Sequence, residues 1–290
     1  MIIDVPKTKK YQYSPLRYPG GKSALFALVD QIIKDNKLEN STYIEPFAGG
    51  AGIALSLLML EKVNKIIIND LDRAIFCFWK IILSDTDRFI EKIKKTRVTI
   101  YEWRNQKKIY LDNSSSDFDL AFATFFLNRT NRSGILNAGV IGGIEQSGNW
   151  KLDARFNKKN LISRIKKISY YKDRIIVKNI DGVKLVRDLI NKKSSFVYLD
   201  PPYYDKGSCL YLNHYKPKDH KKLADFLNKN KGGNWILTYD NVDSIRELYS
   251  KRKTFEFLLN YHAHKSKKGS ELLVLSDALK INKKNIKTSF

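Results

Sequence analysis

Apolar positions change period several times along the chain, and each change marks an element. Short runs rich in β-branched and aromatic residues read as strands at Thr42 to Glu45, Lys65 to Asn69, Arg174 to Lys178, Ser195 to Leu199, Asn234 to Thr238, Thr254 to Leu259 and Glu271 to Leu275. Apolar residues at helical spacing predict helices over Ala24 to Lys34, Ile53 to Leu60, Ile75 to Leu83, Phe89 to Lys94, Leu120 to Leu127, Val183 to Asn191, Lys218 to Leu227 and Val242 to Tyr249, with Lys158 to Lys167 in a further helical stretch. Strands and helices alternate near both ends, as in an α/β fold built on a parallel sheet. The middle is helical and basic, so residues 1–84 and 173–290 are expected to form one domain, with 85–172 inserted as a mainly helical subdomain.

The pattern breaks most sharply after Leu199. The run Ser195-Phe196-Val197-Tyr198-Leu199 is followed by Asp200-Pro201-Pro202-Tyr203-Tyr204. Proline fixes φ, removes a donor and keeps the residue before it out of the helical region, so Asp200 and Pro201 must be extended. The Asp200 carboxylate and the Pro201 carbonyl are thereby held rigidly at a strand end, with Tyr203 as a flat plate beside them. Two acceptors and a stacking ring suit a planar heterocycle that carries an amino group. A strand followed by a plain proline turn is the alternative.

A second break follows Glu45, where Pro46-Phe47-Ala48-Gly49-Gly50-Ala51-Gly52 leads from strand to helix. A strand, a glycine loop and a helix form the first half of a βαβ unit, whose loop receives a nucleotide-like ligand. The next strand ends in Asp70, about 20 positions beyond the loop, where such units bind a ribose hydroxyl. The GxGxxG spacing is missing, which favours a mononucleoside-like cofactor over a dinucleotide. Asp181 also follows a strand, so Asp70, Asp181 and Asp200 would line one edge of a parallel sheet. Near the N-terminus, Arg17-Tyr18-Pro19-Gly20-Gly21-Lys22-Ser23 is a glycine turn before a helix. It lacks the spacing of a Walker loop, and Lys22 is placed to meet a carboxylate or phosphate.

Charge adds a partner class. The 290 residues carry 53 Lys and Arg against 30 Asp and Glu, a net charge of +23, and a polyanion is the simplest physical reason for such self-repulsion. Lys-, Asn- and Ile-rich coding bias is the competing explanation. Basic residues crowd the flanks of a glycine-rich stretch, Ser133 to Trp150, read as a hairpin or loop that tracks phosphates. Two cysteines, Cys77 and Cys209, give no disulfide framework, and His262 and His264 lack local partners, so no metal site is expected and an exposed loop is the reading there. The longest apolar stretch, Ile53 to Leu60, is too short for a bilayer, and no leader pattern opens the chain, so a cytoplasmic protein without membrane contact is the expectation.

The glycine motif 46–52 together with Asp200-Pro201-Pro202-Tyr203 closely resembles the cofactor and catalytic motifs of Dam-type DNA adenine methyltransferases. Arg17 to Lys22 is similar to that family's N-terminal cofactor motif, with Tyr18 where many relatives have tryptophan. Asn69-Asp70 resembles its ribose-binding acid and Asp181 its adenine-binding acid, while Asn128-Arg129-Thr130 and Arg155-Phe156-Asn157 resemble pieces of its DNA-facing region. The resemblance implies a Rossmann-like methyltransferase sheet and S-adenosylmethionine bound by Tyr18, Gly20, Gly21, Lys22, Glu45, Phe47, Gly49, Gly50, Gly52, Asp70, Asp181 and Asp200. It implies catalysis by Asp200, Pro201, Pro202 and Tyr203 on the 6-amino group of an adenine flipped out of double-stranded DNA. A cognate restriction endonuclease is an implied partner. Arg17, Arg129, Asn131, Arg132, Asn137, Arg155, Lys158 and Lys159 are the expected DNA contacts, with the forked or amide side chains of Arg129, Asn131, Arg132 and Asn137 read as base contacts and the lysines as phosphate contacts. Residues 132–149 do not match the segment through which GATC-reading members recognise their site. An RNA adenine methyltransferase and a catalytically silent DNA-binding relative are the alternatives; a silent relative would be free to lose Asp200, Asp70 or the glycines, and all are present.

Overall fold

The computed structural model describes residues 2–3, 12–17, 25–204, 215–263, 265–282 and 286–287. The expected cofactor residues Tyr18, Gly20, Gly21 and Lys22, together with Cys209 and His264, lie outside these. Nine strands form one sheet: β1 (Ile2–Ile3), β2 (Thr42–Glu45), β3 (Lys65–Asn69), β4 (Ile175–Lys178), β5 (Ser195–Leu199), β6 (Asn234–Asp240), β7 (Lys253–Ala263), β8 (Lys265–Leu275) and β9 (Ile286–Lys287). Their order is β4-β3-β2-β5-β6-β8-β7-β1-β9. From β4 to β6 all pairs are parallel, and the β7–β8 hairpin then joins β6 antiparallel.

Alternation along the strands explains two covered faces. Tyr43, Phe196, Tyr198 and Ile236 belong to one apolar cluster, and their neighbours Ile44, Val197, Leu199, Trp235 and Leu237 to the other. The central strands β2, β5 and β6 are therefore buried on both sides, as a sheet flanked by helices requires. The first face is covered by α1 (Phe26–Asp35), α2 (Gly52–Met59), α3 (Arg73–Ser84), α4 (Thr86–Lys95), α6 (Asp117–Thr130) and α7 (Lys158–Tyr170). The second is covered by α8 (Gly182–Leu189), α9 (Pro217–Lys229) and α10 (Asp243–Leu248).

Helices of the 85–172 segment share the first cluster instead of building a core of their own. Phe125 of α6 stacks on Phe78 of α3 at a centroid distance of 6.0 Å, and Phe89 of α4 meets Phe122 and Phe125 edge-on. An additional helix, α5 (Ile100–Leu111), has no counterpart in the predicted elements. Thr99 caps it by accepting the Glu102 N–H, and its inner face is Gln106 buried between the partly buried Trp103 and Tyr110, so a polar residue interrupts the apolar period.

Of the two forms expected for the glycine-rich stretch, the loop is the one observed, a chain of turns with one isolated bridge, Asn131 to Val140. One reading is corrected. The backbone around His262 is strand, paired with Ser266 across the β7–β8 hairpin, and not a loop. Among the described residues no helix is long and apolar enough to cross a membrane.

Candidate active site

The parallel strands change direction of succession between β2 and β5: β3 and β4 extend the sheet to one side of β2, and β5 and β6 to the other. Connections on either side of this point leave by opposite faces, so the carboxyl ends of β2 and β5 open onto a crevice, where α/β folds bind ligands. Glu45 ends β2, Asn69 and Asp70 end β3, Asp200 follows β5 and Asp240 ends β6. The carboxylates expected at successive strand ends are therefore brought to one edge.

On the β2 side, the glycine loop is shaped by its neighbours. Gly49 at φ 47° and Ala51 at φ 47° both take left-handed backbone, and the turn delivers the chain into α2 without a side-chain cap. Glu45 does that work from the strand end, with Oε1 accepting the Ala54 N–H at 3.0 Å and the Tyr43 hydroxyl at 3.1 Å. Burial pushes the Glu45 carboxyl up to about 8, against those two hydrogen bonds. Its observed contacts shape the loop.

Asp70 closes the loop from the other side. Its Oδ2 accepts the Gly49 N–H at 2.9 Å and its Oδ1 the Asp72 N–H at 3.0 Å. Burial raises its proton affinity to about 7 despite these donors. Each carboxylate oxygen keeps a lone pair, so the group can still accept the two hydroxyls of a ribose. Asn69 is fully engaged beneath it: Nδ2 donates to the carbonyls of Pro46 and Ile180, and Oδ1 accepts the Ile180 N–H. That amide ties the loop after β2 to the segment leading into α8. Trp79 adds a further anchor by donating Nε1–H to the Gly49 carbonyl at 2.9 Å.

Phe47 lies across the same crevice, half-buried, with its edge toward Tyr215 at 5.8 Å. A Cβ placed on Gly182 would sit 2.6 Å from the Phe47 ring, so only glycine fits beneath it. Asp181, exposed, caps α8 through the Lys184 N–H at 2.9 Å. An aromatic plate, a carboxylate poised for a diol and a second acid at a helix start form a donor and acceptor set that fits a nucleoside.

On the β5 side, Asp200 is held by a relay that sequence reading missed. Thr238 of β6 donates its hydroxyl to Asp200 Oδ1 at 2.9 Å, and the Thr238 oxygen lies 2.9 Å from the Tyr198 hydroxyl. Pro201 is buried and Pro202 half-buried. Tyr203 is 7% exposed, and its hydroxyl donates to Glu271 of β8 at 2.6 Å. The Tyr204 N–H donates to Asp240 Oδ1 at 3.1 Å. Partners on β6 and β8 thus fix the whole 200–204 turn. No signal short of the strand register points to Thr238 or Glu271.

The expected DNA contacts divide. Arg132 and Asn137 are exposed on the turn after α6, and Arg155 and Lys159 are exposed as well. Lys158 donates to the Lys94 carbonyl at 2.7 Å, Arg17 to the Asn131 carbonyl at 3.2 Å, and Arg129 Nε to the Arg155 carbonyl at 2.7 Å. Asn131 is a correction. It is fully buried, its Oδ1 accepts the Trp103 indole N–H at 2.7 Å, and its Nδ2 donates to the Ile135 and Leu136 carbonyls, so no amide face remains for a base. Asn128, quoted in the motif, likewise clamps the Arg17 backbone from both sides, accepting its N–H and donating to its carbonyl.

The family model for D12 class N6 adenine-specific DNA methyltransferases matches residues 18–267. The type II methyltransferase M.MjaIII of Methanocaldococcus jannaschii is 26% identical over 288 residues, covering 90% of this chain and 98% of that protein. The type II methyltransferase M.CviBI of Paramecium bursaria Chlorella virus NC1A is 26% identical over 272 residues, covering 89% of this chain and 95% of the relative. Among solved structures, the rRNA methyltransferase aviRa from Streptomyces viridochromogenes aligns over 94% of this chain and 89% of its own, at 12% identity and a TM-score of 0.35.

Proposed function

The chain belongs to the D12 class of N6 adenine-specific DNA methyltransferases, and from that premise we propose a division of labour at the crevice and a donor for the methyl group. S-adenosylmethionine, the donor implied by the family, supplies an electrophilic methyl group on a sulfonium. Phe47 would cover its adenine, Asp70 would accept its ribose hydroxyls and Asp181 would meet its base. Glu45, Gly49, Gly50 and Gly52 would shape the loop beneath it, and the family resemblance assigns Tyr18, Gly20, Gly21 and Lys22, which lie outside the described residues, to the same cofactor.

The observation that carries the reading is the Asp200 carboxylate at the β5 end, directly across the switch point from the glycine loop and oriented by Thr238. An adenine amine is a poor nucleophile because its lone pair is delocalised into the ring. Asp200 and the Pro201 carbonyl each accept one amino hydrogen, which draws the nitrogen toward tetrahedral geometry and directs its lone pair at the methyl. As the N–C bond formed, the S–C bond would break and release a neutral thioether, and one amino proton would then leave the nitrogen by way of its acceptors to solvent. Positive charge grows on that nitrogen meanwhile, so acceptors fixed in advance stabilise the transition state more than the ground state. Pro202 keeps the turn rigid, and the Tyr203 ring, pinned through Glu271, packs on the base. A base paired in a duplex cannot reach this edge, so the adenine is flipped out.

Arg17, Arg129, Arg132, Asn137, Arg155, Lys158 and Lys159 belong to the DNA side, carried mainly by the 85–172 segment acting as target-recognition region. Both relatives are named type II methyltransferases, which supports a role as the modification half of a restriction-modification pair with a cognate endonuclease. Asp200→Ala is expected to lower methyl transfer about a hundredfold to a thousandfold, the scale for losing a preorganised electrostatic contact. Radiolabelled methyl incorporation into duplex DNA reads this out. Incorporation within about tenfold of the unsubstituted chain, roughly 1.4 kcal/mol, would remove Asp200 from the mechanism. Modified-base long-read sequencing of DNA from expressing cells would identify the methylated site.

A further inference from the structure

Four arginines gather where α6 ends and residues 12–17 pack against it. Arg129 lies in the last turn of α6, Arg17 reaches the carbonyl of its C-cap residue Asn131, and Arg155 offers its own carbonyl to Arg129. Arg164 of α7 donates to the Ser14 carbonyl at 2.8 Å and to Gln12 at 3.3 Å. Gly134, at φ 78°, lets the Arg17 backbone approach so closely that a Cβ there would meet its carbonyl oxygen at 2.6 Å.

Among the described residues, Arg17, Arg129 and Arg164 are partly buried without a carboxylate partner, whereas the other arginines that lack one, Arg97, Arg104, Arg132, Arg155 and Arg187, are exposed. Arg73, Arg174, Arg246 and Arg252 each pair with a carboxylate. Among the described residues none of the four clustered arginines does. Arg17, Arg129 and Arg164 are instead held by neutral carbonyl and amide oxygens, Arg17 and Arg129 at the negative end of the α6 dipole, and the Arg155 guanidinium lies over the Trp150 ring at 5.9 Å. Burial lowers the proton affinity of Arg129, and Arg17, Arg164 and Arg155 lower it further, in that order. Arg155 likewise acts on Arg17, after burial. Partly buried positive charge without a counterion is costly, and the arrangement is complete only with an anion among them.

We propose that Arg17, Arg129 and Arg155 form one receptor for a single backbone phosphate of the DNA, with Arg164 behind them supplying charge. The proposal rests on DNA being the substrate and narrows how it is held. Arg129 cannot extend into a groove as a base reader, because its Nε is tied to the Arg155 carbonyl and its stem is partly buried. Among the described residues, its two terminal nitrogens and the Arg155 guanidinium carry no hydrogen bond. Planar forks of this kind match the paired oxygens of a phosphodiester.

The test is a double-mutant cycle on binding to a short fluorescent duplex across several salt concentrations, with Arg17→Gln, Arg155→Gln and the double variant. Each single change should lower the slope of log affinity against log salt by about 0.9, the loss of one phosphate contact. The double variant should lower it by the same about 0.9 once, with an affinity loss smaller than the product of the single losses. Arg155→Gln combined with Lys159→Gln should be additive. Slope losses that sum in the Arg17 and Arg155 pair, with duplex binding and methylation retained, would overturn the single receptor and leave the DNA reading standing. Absence of duplex binding by the unsubstituted chain would overturn both. Cooperative thermal melting checks each variant, and Arg17→Met, which keeps the aliphatic stem and removes the charge, replaces Arg17→Gln if the latter melts without cooperativity.

Discussion

Thr238, in the middle of β6, donates its hydroxyl to the Asp200 carboxylate at the end of β5. The bond crosses between two parallel strands paired in register, Leu199 beside Leu237, so the carboxylate we propose as the amine acceptor is aimed by the sheet itself as well as by its own proline turn. Thr238 is fully buried, and the aim costs no reorganisation during the reaction.

Thr238→Val should therefore lower kcat and spare cofactor binding. A hydrogen bond to a charged group contributes about 1.5–3 kcal/mol, which is roughly a tenfold to hundredfold loss in rate. Steady-state methyl transfer with saturating DNA reads this directly. An unchanged kcat would show that the prolines alone orient Asp200.

The ribose contact proposed for Asp70 predicts that cofactor binding depends on pH. Its carboxyl holds a proton up to about pH 7, chiefly through burial, whereas ribose hydroxyls donate to the ionised form. Binding should thus release roughly half a proton at pH 7, and affinity should rise between about pH 6 and 8. In the ligand-free chain the raised value acts on stability in the opposite sense: its contribution is present below the unfolded value of 3.8 and is lost as pH rises through about 7. Calorimetry in buffers of different ionisation enthalpy measures the release. Asp70→Asn should abolish it and weaken binding by about 1.5–3 kcal/mol.

Gly182→Ala places a methyl group against the Phe47 ring at 2.6 and 2.7 Å and against the Pro46 carbonyl at 3.2 Å. Overpacking of this kind costs about 1–3 kcal/mol, and the ring must tilt into the crevice. A lower Tm together with a raised Kd for S-adenosylmethionine is the expected pair of changes. A lower Tm alone would place Phe47 away from the cofactor.

Asn131→Ala and Asn137→Ala separate structure from reading. The first strips the Trp103 indole of its acceptor and two carbonyls of their donor, at about 1–3 kcal/mol for each buried group left unsatisfied. It should lower stability in urea titrations without changing site preference among the molecules that fold. The second alters an exposed residue, so stability should move by about 0.5 kcal/mol or less while the preferred duplex is penalised by about 1–3 kcal/mol.

Much of the fold was legible because both faces of the parallel strands are covered. Runs such as Phe196-Val197-Tyr198-Leu199 then become continuously apolar and stop abruptly at a proline turn. The same abruptness exposed Asp200 and the glycine loop. What the residues could not disclose was partnership across the sheet. Thr238 and Glu271 lie 38 and 68 positions from the residues they hold, and only strand register joins them. Asn131 was misread for the related reason that an amide suited to a base edge is equally suited to Trp103 and a pair of carbonyls, and sequence does not say which it faces.

The placement of β2 between β3 and β5 also sets an order of events during synthesis. Thr42–Glu45 can pair with Lys65–Asn69 soon after both emerge, but its other edge waits for Ser195–Leu199. At typical rates of chain elongation that wait is about 8–30 s. Throughout it β2 is an unpaired sheet margin, whose four-residue length limits its capacity to template another chain. The crevice that joins the glycine loop to Asp200 is consequently among the last parts of the molecule to exist, and a nascent chain halted before residue 195 holds half of its walls.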